Sequence, residues 1–181
     1  MSEDQIAPDV FTADYVGTPG ERTFYLQSRS DEGAHTYLVE KQQVAVLAEK
    51  LREILIVLDQ NDTIRAAVPA RDPALAMSGP PEPRWRVGTI GLGYDEDADR
   101  IVLLLQEITA EDESGEGEEP APEEEVASVR LSLRRDQARA FVLHAVAVVG
   151  EGRPTCQLCG LPMDPAGHIC PASNGHRLTI V

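Results

Sequence analysis

The chain has 181 residues, 42% of them apolar, with a formal net charge of −15 at pH 7 and a pI near 4.6. That length suffices for one domain with its own core plus a small appendage. The charge repels phosphate backbones, which disfavours nucleic-acid binding by bulk electrostatics and suits a basic protein partner or simple solubility. No stretch approaches the ~20 consecutive apolar residues of a membrane-spanning helix. The acidic N-terminus, with Glu3 and Asp4, lacks the basic and apolar regions of a signal peptide. A cytoplasmic protein with no membrane segment is expected.

Residues 1–20 read as an irregular lead-in with a short strand near 11–16. Residues 22–28 and 36–39, rich in aromatic and β-branched types, read as a hairpin across the turn Asp31-Glu32-Gly33. Over 41–58 the apolar residues Val44, Leu47, Leu51, Leu55 and Leu58 recur at spacings of three and four, the period of a core-facing helix. The pattern dissolves over 59–83, where Pro69, Pro73, Pro80, Pro81 and Pro83 fall; an excursion of that length is expected to be functional or partly disordered. Residues 84–90 and 100–108 read as strands joined by an acidic turn. Residues 126–133 read as a fifth strand, and 135–149 as a second helix with Ala138, Phe141, Val142, Ala145 and Val149 on one face.

Between the last two strands, Glu111 to Glu125 holds nine acidic residues, no basic one, and Gly115, Gly117, Pro120 and Pro122. Such a segment cannot bury apolar surface and is expected to be a disordered hairpin loop, spanning 109–126. The two strand-to-helix junctions resemble each other: each runs strand, charged pair, then Gln43 or Gln137 and an apolar face. A duplicated unit is one reading and convergence of short helices the other. The expected fold is α+β: an antiparallel sheet of about five strands with two helices on one face, forming a core domain over 1–150. One-sided cover leaves the face of Tyr25, Trp85 and Val87 partly exposed or paired with another molecule, a homodimer mate included.

The three cysteines, Cys156, Cys159 and Cys170, lie within fifteen residues. Clustered and odd in number, they point to a metal and away from a disulfide framework. Cys156-Gln157-Leu158-Cys159-Gly160 has the form of a zinc knuckle, whose turn sets two sulfurs on one side and whose glycine permits a left-handed backbone. Cys170 supplies a third thiolate. Tetrahedral zinc needs a fourth ligand, and both His168 and His176 are feasible by spacing. A tail over 151–181 with almost no aliphatic core folds only if metal binding supplies the free energy. A redox Cys-x-x-Cys wants a strand-to-helix turn, and catalytic zinc wants an open position with a general base nearby. Asp164 is the only carboxylate side chain in that tail after Glu151. Structural Zn2+ is the better reading.

Pro19-Gly20-Glu21-Arg22-Thr23-Phe24-Tyr25-Leu26-Gln27 resembles the opening of an uncharacterised, mainly actinobacterial family, domain of unknown function 3090. So do Glu40-Lys41-Gln42-Gln43-Val44, the run from Arg86 to Tyr94, Gln137-Ala138-Arg139-Ala140-Phe141, and the tail Cys156-x-x-Cys159-Gly160 with Gly167-His168-x-Cys170-Pro171. The resemblance spans essentially the full chain. It implies that His168 is the fourth ligand, with His176 the alternative, and it brings no activity with it. The acidic loop is longer than the family pattern.

Other candidates are weaker. Asp95, Asp97 and Asp99 alternate like a calcium loop, but Arg100 and Gln106 stand where that loop needs Gly and Glu. Gly88, Gly91 and Gly93 match no dinucleotide fingerprint and suit close packing or a bulge between strands. His144 sits at the edge of an apolar helix face, and His35 at a hairpin corner. Arg22, Glu40, Lys41, Arg84 and Arg86 can converge at strand ends as a polar site. Three functions are carried forward. The first is a non-enzymatic adaptor or regulatory protein that binds another protein, motivated by structural zinc, the acidic loop and a half-covered sheet. The second is an enzyme with a polar site near Arg22, Lys41 and Arg86. The third is nucleic-acid binding through Arg153, His168, His176 and Arg177 of the knuckle. Deleting 111–125 should leave the melting temperature of the core nearly unchanged in a thermal melt, because loop length enters closure entropy only logarithmically; a large loss would show that the segment docks.

Overall fold

The computed structural model describes residues 4–59, 63–108, 126–152 and 156–158. The elements are β1 (Asp4–Ile6), β2 (Val10–Val16), β3 (Thr23–Ser30), β4 (Gly33–Val39), α1 (Lys41–Asp59), α2 (Thr63–Ala66), a 3-10 turn (Pro73–Leu75), β5 (Pro83–Asp95), β6 (Arg100–Glu107), β7 (Ser128–Leu133) and α3 (Arg135–Gly150). The acidic loop and all of the cysteine tail except Cys156, Gln157 and Leu158 lie outside the described residues.

The sheet is mixed, in the order β1-β7-β6-β5-β4-β3-β2. This corrects the expected antiparallel sheet of about five strands: β4–β5 and β1–β7 are parallel pairs. Parallel pairing needs a crossover, and α1 with the segment after it provides one for β4–β5. The three-residue β1 carries too little pattern to be seen in the sequence.

The two ends of that order are β1 and β2, yet only residues 7–9 separate them in the chain. Seven flat strands put edge strands ~29 Å apart at ~4.8 Å per gap, and so short a connection spans at most ~14 Å. The sheet is therefore curled until the chain joins its own edges, with β1 and β2 as one strand interrupted at Pro8, a residue with no N–H for a ladder.

Seen this way the chain repeats itself. Strands β2-β3-β4 form an antiparallel meander that runs into α1, and β5-β6-β7 form another that runs into α3. Each long strand begins parallel to the last strand of the other meander. It then overshoots that strand's end, leaving carbonyls that the ladder does not use. A glutamine at the third position of the following helix takes them. Gln43 Nε2 donates to Val87 O at 3.1 Å and Gly88 O at 3.0 Å, and Gln137 Nε2 to Pro8 O at 2.6 Å and Asp9 O at 2.8 Å. Each Oε1 accepts the backbone N–H just ahead of its helix, Glu40 at 2.9 Å and Arg134 at 2.8 Å, half of a capping box. The duplicated-unit reading of the two junctions holds at the level of individual bonds.

One core unites both units. Phe11, Leu26, Leu51, Leu55, Leu103, Leu131 and Phe141 are all fully buried, and the rings of Phe11 and Phe141 stack at 4.8 Å. In α1 the buried stripe is Val44, Leu47, Ala48, Leu51 and Leu55; in α3 it includes Phe141, Val142, Ala145 and Val148, with Val149 half-buried.

The proline-rich excursion is an ordered strap that crosses the polar side of β2 and β3. Thr12 Oγ1 donates to Leu75 O, Gln27 exchanges two hydrogen bonds with the backbone of Ser78, and Arg29 donates to Ala74 O at 2.8 Å. The buried polar residues Thr12, Asp14 and Gln27 are thus satisfied by strap backbone and side chains, as burial requires. At the strap's entry the Asp72 N–H donates to Nδ1 of the buried His144, so that ring is neutral with its proton on Nε2, and burial pushes its pKa down.

Replacing Gln43 or Gln137 by Ala strips partners from two strand carbonyls at once. Each change should cost about 1–3 kcal/mol in denaturant unfolding, the buried Gln137 more than the half-buried Gln43. Losses below ~0.5 kcal/mol in both would show that these carbonyls are satisfied without the side chain.

Candidate functional site

Where β4 ends and α1 begins, the longer β5 runs on beside the junction, and the curled sheet leaves an open corner. A groove of about 750 Å³ occupies it, lined by the β2–β3 hairpin, the start of β3, the β4–α1 junction, Arg86 of β5, and Gly152 just beyond α3. Four of the five charged residues that can converge by sequence do so: Arg22, Glu40, Lys41 and Arg86 line it, whereas Arg84 is exposed and outside the lining. The register puts Arg86 opposite Leu38, two residues before Glu40.

The hairpin wall is set by backbone. Gly17 has φ +108°, and a Cβ there would meet Glu21 O at 2.4 Å, so only glycine allows this tight turn. Behind the wall the guanidinium of Arg22 lies over the Tyr15 ring, 4.0 Å from its centroid, and donates to the backbone oxygen of Glu151. Its Nε is buried and has no hydrogen-bond partner among the described residues. The Glu151 carboxylate faces away from the groove: it pairs with Arg71 Nε at 2.9 Å and accepts the Tyr15 hydroxyl at 2.7 Å, a bond that raises the tyrosine pKa. Arg71 also pairs with Asp14 at 2.6 Å.

Across the groove Arg86 pairs with Glu40 at 2.6 Å. Lys41 is the first residue of α1, exposed, with no ion-pair partner among the described residues. Its Nζ lies 2.8 Å from where a Cβ on Gly152 would stand, so Gly152 leaves room for the amine. The first turn of the 19-residue α1 adds unpaired backbone N–H groups and the positive end of the helix dipole. The groove thus joins three cations to one carboxylate in a chain whose net charge is strongly negative.

The other candidates resolve differently. The Asp95–Asp99 turn is self-occupied: Asp95 accepts from Ala98 N at 3.0 Å, and Asp99 accepts from Tyr94 and Arg135, contacts that lower its pKa. Gly91 lies 3.4 Å by its would-be Cβ from Leu104 Cβ, the expected close packing. Of the residues expected to hold zinc only Cys156 is described; it is buried, and the Leu158 N–H points at its Sγ at 3.4 Å. Cys159, His168, Cys170 and His176 lie outside the described residues, as do Arg153 and Arg177. No three His, Cys, Asp or Glu side chains group as a metal site among the described residues. No described helix is long and apolar enough to cross a membrane. Sequence reasoning missed the supports of the groove, Tyr15, Arg71 and Glu151, because nothing in their local spacing announces that a strap and a helix end meet behind Arg22.

No curated protein and no solved structure matches the chain. The family described as protein of unknown function (DUF3090) matches residues 5–170, almost the whole length, and the chain belongs to that family.

Proposed function

We propose that the chain is a binding protein for a small anionic ligand, held in the groove by Arg22, Lys41 and Arg86. The observation that carries this is the convergence of three cations from three separate strand or helix starts on one open groove. In a chain of net charge −15 such a gathering runs against the surface average, and a partly enclosed site makes each charge worth more than on open surface. The volume lies in the usual ligand-pocket range of ~300–1,000 Å³. Binding is favoured over catalysis because the single lining carboxylate, Glu40, is engaged by Arg86. The adaptor reading, motivated by the expected zinc site, the acidic loop and a half-covered sheet, is supported by a smaller feature, a furrow of about 270 Å³ between α1 and β5 that includes Val46, Ile90 and Leu92. A protein partner or a second copy of the chain would use that surface.

A thermal-shift screen of small anions at fixed ionic strength tests the groove. At least one anion should raise the melting temperature by several degrees at saturation, and the double variant Lys41→Ala/Arg86→Ala should abolish the shift. A screen in which no anion stabilises the wild type counts against the reading.

We also propose one structural zinc per chain, bound by Cys156, Cys159, Cys170 and His168. The Leu158 N–H directed at the Cys156 sulfur suits a thiolate ligand, since such bonds stabilise the charged form. The family match takes in all four residues and stops before His176. Metal analysis should find one zinc in the wild type and in His176→Ala, with loss in Cys156→Ser and His168→Ala. Retention by His168→Ala together with loss by His176→Ala would reassign the fourth ligand.

A further inference from the structure

The duplication gives the groove an internal counterpart, and the two differ in what occupies them. Lys41 opens α1 and Arg135 opens α3, each directly after its glutamine-capped junction. Tyr15 is the penultimate residue of the first strand of one unit, and Tyr94 holds the same place in the other. The end of α3 lies against the first site, through Glu151 and Gly152, and the end of α1 lies against the second, through Leu58 and Asp59.

In the second unit the place is filled by the chain's own acids. Arg135 pairs with Asp99 at 2.7 Å and with Asp59 at 3.3 Å, and its guanidinium also donates to Leu58 O and the Tyr94 hydroxyl. Arg139 pairs with Asp59 as well. Two carboxylates therefore converge on the helix start. In the first unit the residue just before the hairpin's second strand, where Asp99 stands in the second, is Arg22, and the Glu151 carboxylate is held outside by Arg71 and Tyr15. Only Glu40 brings a negative charge to the lining, and it is matched by Arg86.

We infer that the groove takes a phosphate monoester, whose dianionic phosphoryl group sits where the second unit places two carboxylates. This rests on the anion-binding reading above and names its ligand class. Lys41 supplies a mobile point charge and Arg86 planar donors, while Arg22, its guanidinium turned onto Tyr15 and the Glu151 backbone oxygen, adds positive charge behind the wall. The α1 amides supply N–H groups at a helix N-terminus, a combination that matches tetrahedral oxygens. A phosphoryl group fills only part of about 750 Å³, leaving room for the organic part of the ester against Phe24, Leu38 and Val39.

Titration calorimetry on the full chain, with inorganic phosphate and acetate as probes at matched ionic strength, decides it. Phosphate should bind saturably and more tightly at pH 8 than at pH 6, where it is mostly monoanionic. Binding should weaken at least ~tenfold in Lys41→Ala and in Arg86→Ala, the scale of one lost charge-assisted contact. Arg84→Ala, outside the lining, should leave it unchanged, and Lys41→Gln repeats the test should the alanine variant fail to fold by circular dichroism. Saturable acetate binding that depends on Lys41, without phosphate binding, overturns the phosphate assignment and leaves the anion reading standing. Phosphate binding that survives both groove variants places the ion elsewhere and overturns the inference. No binding of either probe overturns both.

Discussion

Two glutamine side chains settle how this chain closes. Each stands at the start of a helix, caps the amide ahead of it, and holds two carbonyls of a strand that has run past its parallel neighbour. Without such a link the overshooting strands would lose the partners of two carbonyls each at the place where sheet turns into helix, a cost of about 1–3 kcal/mol per glutamine. With it, the helix start, the end of the short strand and the middle of the long strand form one unit. Because the same link recurs in both meanders, the sheet curls symmetrically enough for residues 7–9 to join its edges. The open corner at the β4–α1 junction exists because that geometry stacks a helix start beside a strand that keeps going.

The charge pattern follows from the same corner. Arg22, Lys41 and Arg86 are far apart in sequence, and their gathering is a product of topology: a hairpin exit, a helix start and a parallel neighbour meet there. An exposed cation on an acidic chain is ordinarily neutralised by a nearby carboxylate at little net gain. Here the available carboxylate, Glu151, is drawn off by Arg71.

Much of the fold was legible. Both expected helices, three of the four hairpin-type strand pairs and the core stripes follow from period-two and period-3.6 patterning, and residues such as Leu47, Leu51, Phe141 and Ala145 are buried where that patterning puts them. The parallel pairings were not legible, because pairing direction is set by which strands the crossover brings together and leaves no local periodicity. The strap's order was not legible either, for a related reason. Its prolines and turn residues carry no repeat, and its order comes from bonds to Thr12, Asp14, Gln27 and Arg29, all on distant strands. The convergence of Arg22, Lys41 and Arg86 was legible as strand-end chemistry; the second tier of Tyr15, Arg71 and Glu151 required the strap's path.

That second tier explains why two halves built alike end up chemically different. At the end of α1, Asp59 turns onto Arg135 and Arg139, and no described cation competes for it. At the end of α3, Glu151 meets Arg71, carried by a strap that belongs to the first unit alone. Arg71 is itself fixed by Asp14 on β2, and the Tyr15 hydroxyl donates to the other oxygen of the same carboxylate. The acid that would close the first site is thereby committed through both of its oxygens on the far side of Arg22. Only its backbone oxygen faces the guanidinium. Gly152, the next residue, has no side chain to fill the space beside Lys41. An insertion between α1 and β5, present once in a duplicated chain, is enough to turn a self-neutralised corner into an open cationic one.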